Sequence, residues 1–186
     1  MNYDDKIWVF DDIVDTKIQD EIKDTMLSQQ FPWYYLADIT DPTRMKQARP
    51  GFQHFFVIDN KVASDWHKIL LPVIDASCEK IGFKYSKIVQ GRAFLQQPLK
   101  GFYSKGDPDT PHIDLKYKHL VVLYYVTTAE GNTVITNQQT YNVGHFSRQK
   151  EVTPKKGRVV VFDGRFWHWA HQTDNSLRVV ANYNLI

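Results

Sequence analysis

Apolar residues in the first third of the chain recur at a helical spacing. Ile18, Ile22 and Met26 stand four residues apart, with polar side chains between them. This spacing places them in one stripe along a helix, which can bury that face against a core. Asp15 and Thr16 stand just before the stripe, and both residue types cap helix N-termini. The pattern therefore predicts an amphipathic helix that begins at one of these two residues.

A second helical pattern extends from about Ser64 to Ile81. Pro72 falls inside it, and proline either kinks a helix or occupies the first turn of a new one. We predict either a kinked helix or two consecutive ones. The residues expected to face inward are Trp66, Ile69, Leu70, Ile74, Cys78 and Ile81.

Runs of β-branched and aromatic residues predict strands, most of them in the second half. In the first half, Ile7–Phe10 and Phe52–Ile58 have this pattern, while the aromatic cluster Phe31–Tyr35 is interpreted as core or lid. In the second half, Gly, Pro, Asp and Asn separate short runs at a spacing typical of an all-β sandwich or closed barrel. These runs are Ile88–Gln96, Leu120–Val126, Thr133–Thr136, Arg158–Phe162 and Arg178–Leu185.

Helices first and strands afterwards indicate an α+β fold. We predict a jelly-roll core, or double-stranded β-helix, with the N-terminal helices packed on one sheet. A length of 186 residues suits a single domain over residues 1–186. Residues 1–87 would form the helical and strand support, and residues 88–186 the jelly-roll core that carries the functional site.

Composition excludes several classes of protein. The net charge is +2 with no basic stripe, so specific nucleic-acid binding has no support. There is no secretory-signal layout and no apolar run near the ~20 residues that a membrane span needs. Cys78 is the only cysteine, which excludes an intramolecular disulfide. We expect a soluble cytoplasmic protein without a membrane partner, and its oligomeric state is left open.

The candidate chemistry begins with His112 and Asp114. Two residues apart on an extended segment, their side chains point to the same face. Imidazole and carboxylate together suit Fe(II), and one further histidine would complete a facial triad with open positions. His168 supplies it, 54 residues beyond Asp114, although His171 competes for the same role.

Arg178 opens the final predicted strand, ten residues after His168. An arginine that points into an apolar core is costly unless an anion neutralises it. Its planar guanidinium matches a carboxylate in bidentate fashion, such as one end of a dicarboxylate co-substrate. The alternative is an internal ion pair with a carboxylate such as Asp163.

The order and spacing of His112, Asp114, His168 and Arg178 resemble the 2-oxoglutarate and Fe(II)-dependent dioxygenases, most closely the prolyl-4-hydroxylase-like branch with its short viral and bacterial members. The ten-residue interval before the arginine favours His168 over His171. Three further segments are similar to family motifs, namely Leu123–Val126 to the Tyr-Leu-Asn strand, Glu130–Thr133 to the Gly-Gly-x-Thr turn and Val152–Arg158 to the Pro-x-x-Gly segment. Asn132 replaces the second glycine of the turn, and the usual asparagine of the strand is missing.

The resemblance implies roles for particular residues. His112, Asp114 and His168 would be the catalytic iron ligands, and Arg178 with Tyr125 would bind the far carboxylate of 2-oxoglutarate. Tyr124, on the opposite face of that strand, is expected in the core. Asn182 shares the inward face of the last strand with Arg178, so we expect it to line the same pocket.

The implied reaction consumes O₂ and 2-oxoglutarate, hydroxylates a substrate C–H bond and releases succinate and CO₂, with ascorbate in support. The substrate would be a peptide or protein, with a peptidyl proline as the leading candidate, or alternatively a small molecule or nucleobase. A catalytically silent jelly-roll binding module is the third hypothesis. The polar segments Ser104–Thr110 and Asn137–Lys150 flank the site and are expected to contact the substrate.

Overall fold

The computed structural model describes residues 3–39, 49–100, 109–139 and 148–186. Two α-helices are present in these parts, with a short 3-10 helix, Asp65–Leu70, directly before the second: α1 (Thr16–Met26) and α2 (Leu71–Ile81). The strands are β1 (Ile7–Phe10), β2 (Tyr34–Leu36), β3 (Gly51–Ile58), β4 (Lys61–Val62), β5 (Ile88–Gln96), β6 (Leu120–Tyr125), β7 (Thr133–Thr136), β8 (Arg148–Val152), β9 (Val159–Asp163), β10 (His168–Ala170) and β11 (Arg178–Leu185).

The strands form two antiparallel sheets. The larger has eight strands in the order β1-β9-β6-β11-β5-β3-β2, with β4 paired to β3. The smaller has three strands in the order β10-β7-β8. All four strands of the first half, β1 to β4, join the larger sheet, so the two halves of the chain share one hydrogen-bonded framework. The structure is thus mostly antiparallel sheet with two helices.

Alternation along β6 divides the core into two layers. Tyr124 is buried in the apolar cluster that also contains residues of α1 and α2. Tyr125, the next residue, is buried in a second cluster, where side chains of the larger sheet meet Ile135 and Val152 of the smaller one. The helices therefore cover one face of the larger sheet and the smaller sheet covers the other, and the predicted core position of Tyr124 is confirmed.

The first helix has the cap and the buried face that its sequence predicts. Asp15 is the N-cap, because its side chain accepts a hydrogen bond from the backbone N–H of Ile18 at 2.9 Å. Ile22 and Met26 are fully buried, and Ile18 packs against the same cluster. Thr16 is the first helical residue, so the structure decides for Asp15 as the cap.

The second helical segment contains a new start rather than a kink. Pro72 occupies the first turn of α2, where its missing N–H costs no intrahelical hydrogen bond. Ile74, Cys78 and Ile81 are buried as predicted, and the Cys78 thiol is free. Among the described residues, no helix is long and apolar enough to cross a membrane.

Four short strands were not predicted, namely β2, β4, β8 and β10. In β2, Tyr34 and Tyr35 are 61% and 65% exposed, whereas Phe31 of the aromatic cluster is buried in the core and Trp33 packs against it. The first three residues of β8, residues 148–150, belong to the segment expected to be a loop. Such strands have two to five residues and depend on pairing with a neighbour, which local periodicity does not reveal.

The turn before β7 depends on a glycine. Gly131 has φ +81°, in the left-handed region where a Cβ is unfavourable. A Cβ at this position would also collide with the backbone oxygen of His171. The neighbouring Asn132 is partly buried, and its side-chain amide donates to Glu151 Oε2 at 3.4 Å.

We expect Gly131→Ala to lower the free energy of unfolding by about 1–3 kcal/mol, because both the left-handed conformation and the collision oppose the side chain. Asn132→Ala, in the same turn, should change it by less than about 0.5 kcal/mol. Urea denaturation of both variants measures the difference. Equal effects of the two substitutions would show that the backbone constraint at Gly131 is unimportant.

Candidate functional site

His112 and His168 are held together by their backbones. They form an isolated antiparallel bridge, in which each N–H donates to the carbonyl of the other at 3.0 and 2.9 Å. His168 is the first residue of β10, so the smaller sheet positions it and not the strand β9 that precedes it in sequence. The two imidazole rings lie 4.5 Å apart between centroids. Residues far apart in sequence thus present neighbouring rings.

Backbone carbonyls select the same tautomer in both rings. Nδ1 of His112 lies 3.0 Å from the carbonyl oxygen of Thr110, and Nδ1 of His168 lies 2.9 Å from that of Phe166. A carbonyl only accepts hydrogen bonds, so each neutral ring carries its proton on Nδ1. Each Nε2 then has a lone pair available for a metal ion.

The third group of the cluster is the buried carboxylate of Asp114, whose side chain is 1% exposed. Its Oδ1 accepts a hydrogen bond from Arg92 Nη2 at 2.7 Å, and its Oδ2 accepts one from Asn182 Nδ2 at 2.9 Å. Burial by itself would raise the pKa of Asp114, but Arg92 and the two imidazoles together lower it below its usual value. The carboxylate is therefore ionised at neutral pH.

These three residues fit a metal ion. Their ligand atoms all lie within 4.8 Å of one another, and Nε2 of each histidine is 3.9 Å from an Asp114 oxygen. That separation is shorter than two metal–ligand bonds of about 2.1 Å placed end to end. Two neutral imidazoles and one carboxylate are a donor set that suits Fe(II). His171 is not in the cluster, and its backbone N–H bonds Asn132 instead.

Arg178 is buried at the other end of the site, among uncharged acceptors. It donates from Nε to the carbonyl of Gly131 at 3.1 Å, from Nη1 to Gln96 Oε1 at 2.6 Å and from Nη2 to Thr133 Oγ1 at 2.9 Å. Burial lowers its pKa from the usual arginine value. A guanidinium has five N–H donors, so donors remain for a ligand.

The proposed ion pair between Arg178 and Asp163 is wrong. Asp163 accepts instead from Arg165 Nε at 2.9 Å. The carboxylate that contacts the hydrogen-bond partners of Arg178 is Asp109, to which Gln96 Nε2 donates at 3.4 Å. Gln96 thus bridges Asp109 and Arg178, whose opposite charges also attract each other without a direct hydrogen bond.

Asp109 is fully buried, and burial raises its pKa, although Arg49 lies 3.2 Å away. Its carboxylate also accepts a short hydrogen bond from Gln172. The sequence indicated Asp109 only as a member of the polar segment Ser104–Thr110, without a role of its own. Gln96 could have been found, because it follows Arg92 on β5 at an even interval and so shares its face.

Tyr125 is not among the residues that line the cavity. Its hydroxyl donates to Thr133 Oγ1 at 2.8 Å, and its ring packs against the Arg178 guanidinium, 5.9 Å from the centroid. Its hydrogen-bond partner Thr133, on β7, does line the cavity. Asn182 does line the cavity, but its amide bonds the Asp114 carboxylate rather than Arg178.

One cavity of about 360 Å³ joins the metal-ligand cluster to Arg178. Its polar wall contains Gln96, Asp109 and Thr133, and its apolar wall contains Leu36, Phe55, Phe94, Leu123 and Val180. Of the segments predicted to contact substrate, residues 104–108 and 140–147 lie outside the described residues. Asp109, from the first of these segments, does line the cavity.

No protein-family model matches the chain, and no curated protein matches it by sequence. Solved structures do match. The non-haem α-ketoglutarate-dependent epimerase SnoN from nogalamycin biosynthesis aligns with a TM-score of 0.69 and 13% identity, over 98% of this chain and 78% of that one.

Two prolyl hydroxylases are also similar. The enzyme from Trichoplax adhaerens, in complex with a hypoxia-inducible-factor peptide, has a TM-score of 0.65 and 11% identity over 97% of this chain and 83% of its own. The viral collagen prolyl hydroxylase of Paramecium bursaria Chlorella virus 1, in complex with 2-oxoglutarate, has a TM-score of 0.60 and 13% identity over 100% and 98%. The structural neighbours are thus 2-oxoglutarate/Fe(II) oxygenases, and this chain has their fold.

His168 makes the stability of the metal-free protein depend on pH. Burial, with a smaller contribution from His112, lowers its pKa to about 4, while an unfolded histidine titrates near 6.5. Between these values the unfolded chain binds a proton that the folded chain does not, so stability decreases as pH falls.

We expect the unfolding free energy to fall by on the order of 1–2 kcal/mol between pH 7 and pH 5 because of His168. Urea denaturation of the wild type and of His168→Gln at the two pH values measures it. The variant should lose less stability over this interval. The same pH dependence in both proteins would mean that another group is responsible.

Proposed function

We propose that the protein is an Fe(II)- and 2-oxoglutarate-dependent dioxygenase that hydroxylates a substrate C–H bond. The observation that supports this best is the single cavity with a tautomer-fixed His-Asp-His cluster at one end and the buried Arg178 at the other. Either end alone has a structural explanation. Together they provide a metal site and a carboxylate anchor at opposite ends of one cavity.

His112, Asp114 and His168 would hold the iron. Asp114 supplies the one negative charge, and the two Nε2 atoms supply neutral donors that carbonyls of Thr110 and Phe166 have already oriented. The side chain of His112 is 42% exposed, which leaves this edge of the cluster open toward ligands. When bound, the iron supplies the activation of O₂ that is coupled to conversion of 2-oxoglutarate to succinate and CO₂.

Arg178 and Thr133 would bind the far carboxylate of 2-oxoglutarate. The Thr133 oxygen accepts hydrogen bonds from both Arg178 and Tyr125, so its own hydroxyl proton is free to donate to a ligand in the cavity. The remaining N–H groups of Arg178 supply the charge. Tyr125 would then act through Thr133, because it fixes the direction of that hydroxyl.

The fold supports the same proposal. We interpret the two antiparallel sheets, with the cavity between them, as a double-stranded β-helix that forms one domain over residues 1–186. The helices cover the outer face of the larger sheet and leave its inner face to the site. The smaller sheet contributes His168 and Thr133, and the larger contributes Arg92, Arg178 and Asn182.

For the substrate we propose a peptidyl residue, with proline first, since two of the similar structures are prolyl hydroxylases and one of them holds a peptide. The similarity to SnoN, with a TM-score of 0.69, supports a small molecule as the second candidate. A catalytically silent module is less consistent with the site, because such a module would not need a buried Arg178 facing a cavity.

The test is formation of succinate from 2-oxoglutarate with Fe(II), ascorbate and O₂. We expect iron-dependent turnover in the wild type and background levels in His112→Ala. Arg178→Ala should raise the KM for 2-oxoglutarate at least about thirtyfold, because loss of a buried charge pair costs 2 kcal/mol or more. Lys155→Ala removes an exposed cation that pairs with Asp11 and should behave as the wild type.

Absence of turnover would be followed by anaerobic titration with Fe(II) and 2-oxoglutarate. If neither binds, the protein is not an oxygenase and the silent module is favoured. If both bind, stimulation of succinate formation by proline-containing peptides or by small molecules separates the two substrate classes.

The co-substrate anchor has its own test. Thr133→Val keeps the shape of the side chain but removes the hydroxyl, so we expect the KM for 2-oxoglutarate to rise about tenfold or more. Tyr125→Phe removes only the group that orients Thr133 and should raise it about fivefold or less. An effect of Tyr125→Phe equal to or larger than that of Thr133→Val would indicate that Tyr125 contacts the co-substrate directly.

A further inference from the structure

Two neighbouring strands clamp the Asp114 carboxylate. Arg92 of β5 and Asn182 of β11 are direct cross-strand partners, and both side chains point into the cavity. Each donates to a different oxygen of Asp114, at 2.7 Å from Arg92 and 2.9 Å from Asn182. The carboxylate is thus held in one orientation from both sides.

The two donors differ in charge. Asn182 is neutral and already satisfies the need to orient the carboxylate, whereas Arg92 adds a full positive charge beside the only anion of the cluster. The guanidinium is held in place, since its side chain is 21% exposed and lies 5.2 Å from the Phe94 ring centroid. Orientation alone therefore does not explain why one of the donors is an arginine.

A fixed cation beside the ligand set affects iron in its two oxidation states differently. Repulsion between charges increases with their product, so Arg92 opposes Fe(III) more strongly than Fe(II). Its hydrogen bond also draws electron density from the Asp114 oxygen, and the more highly charged ion depends more on that density. The cavity surroundings limit screening by water, which strengthens both effects.

We propose that Arg92 is a positioning residue that holds Asp114 together with Asn182 and makes the site prefer Fe(II) over Fe(III). This inference rests on the proposed function, because it assumes that the cluster binds iron. No pattern in the sequence identified Arg92. It follows from the register of β5 and β11 and from the position of Asp114 between them.

The experiment measures how strongly each protein prefers Fe(III) over Fe(II), from the midpoint potential of bound iron. Mn(II) affinity is measured in parallel as a divalent reference. Arg92→Met removes the charge and the hydrogen bond, Arg92→Lys keeps the charge, and Asn182→Ala removes the neutral hydrogen bond on the other oxygen. Circular dichroism and thermal unfolding of the metal-free proteins check the fold, and Arg92→Gln replaces Arg92→Met if the latter does not fold.

We expect Arg92→Met to increase the ratio of Fe(III) to Fe(II) affinity about tenfold, a fall of about 59 mV in midpoint potential for a one-electron couple. Arg92→Lys and Asn182→Ala should stay within about threefold of the wild-type ratio, even though Asn182→Ala binds Mn(II) more weakly. A purely structural role would weaken the binding of Fe(II) and Fe(III) alike and leave the ratio of their affinities unchanged.

Two outcomes overturn the inference, and they are distinguishable. If wild-type protein binds Fe(II) and Mn(II) but Arg92→Met shows the wild-type ratio, or the same shift as Asn182→Ala, the charge of Arg92 has no special role and the proposed function still holds. If the wild type binds neither Fe(II) nor Mn(II), the proposed function fails and this inference fails with it.

Discussion

A buried carboxylate that must remain charged constrains much of this structure. Asp114 has almost no contact with water, so its charge depends on donors that the surrounding strands supply. Arg92 and Asn182 reach it only because β5 and β11 pair in one particular register. A shift of either strand by one residue would turn its side chain to the helical face and break the pair. The larger sheet, the helices that cover it and the metal-ligand cluster therefore depend on the same pairing.

The opposite end of the cavity has the complementary arrangement. Arg178 is buried with neutral hydrogen-bond acceptors, and the charge of Asp109 acts on it without a direct hydrogen bond. Charges of opposite sign thus stand at the two ends of one space, which suits a ligand that is anionic at one end and coordinates a metal at the other. Sequence identities of 11–13% to the similar oxygenases are compatible with this, because only a few side chains form the site. At the remaining positions the fold mainly requires that apolar and polar residues alternate.

Local patterns were sufficient for the long elements. The four-residue stripe of α1 and the long β5, β6 and β11 strands follow from side-chain periodicity, whereas at Pro72 the sequence left a kink and a new helix start both open. Among the short strands, β1, β7 and β9 were predicted from their β-branched and aromatic residues, whereas β2, β4, β8 and β10 were missed. Strand β8 shows the reason, because four of its five residues are polar and it forms a strand by pairing with β7.

The sequence by itself determined that His112 and Asp114 share a face, since side chains in an extended segment alternate, and that an arginine opens the last strand. The tertiary structure places His168 rather than His171 beside them, as the interval before Arg178 had favoured. Only the tertiary structure decided that Thr133 and not Tyr125 lines the cavity and that Arg92 bonds Asp114. Each of these depends on contacts between strands distant along the chain. Periodicity specifies the face on which a side chain lies, whereas strand order and register specify what it meets there.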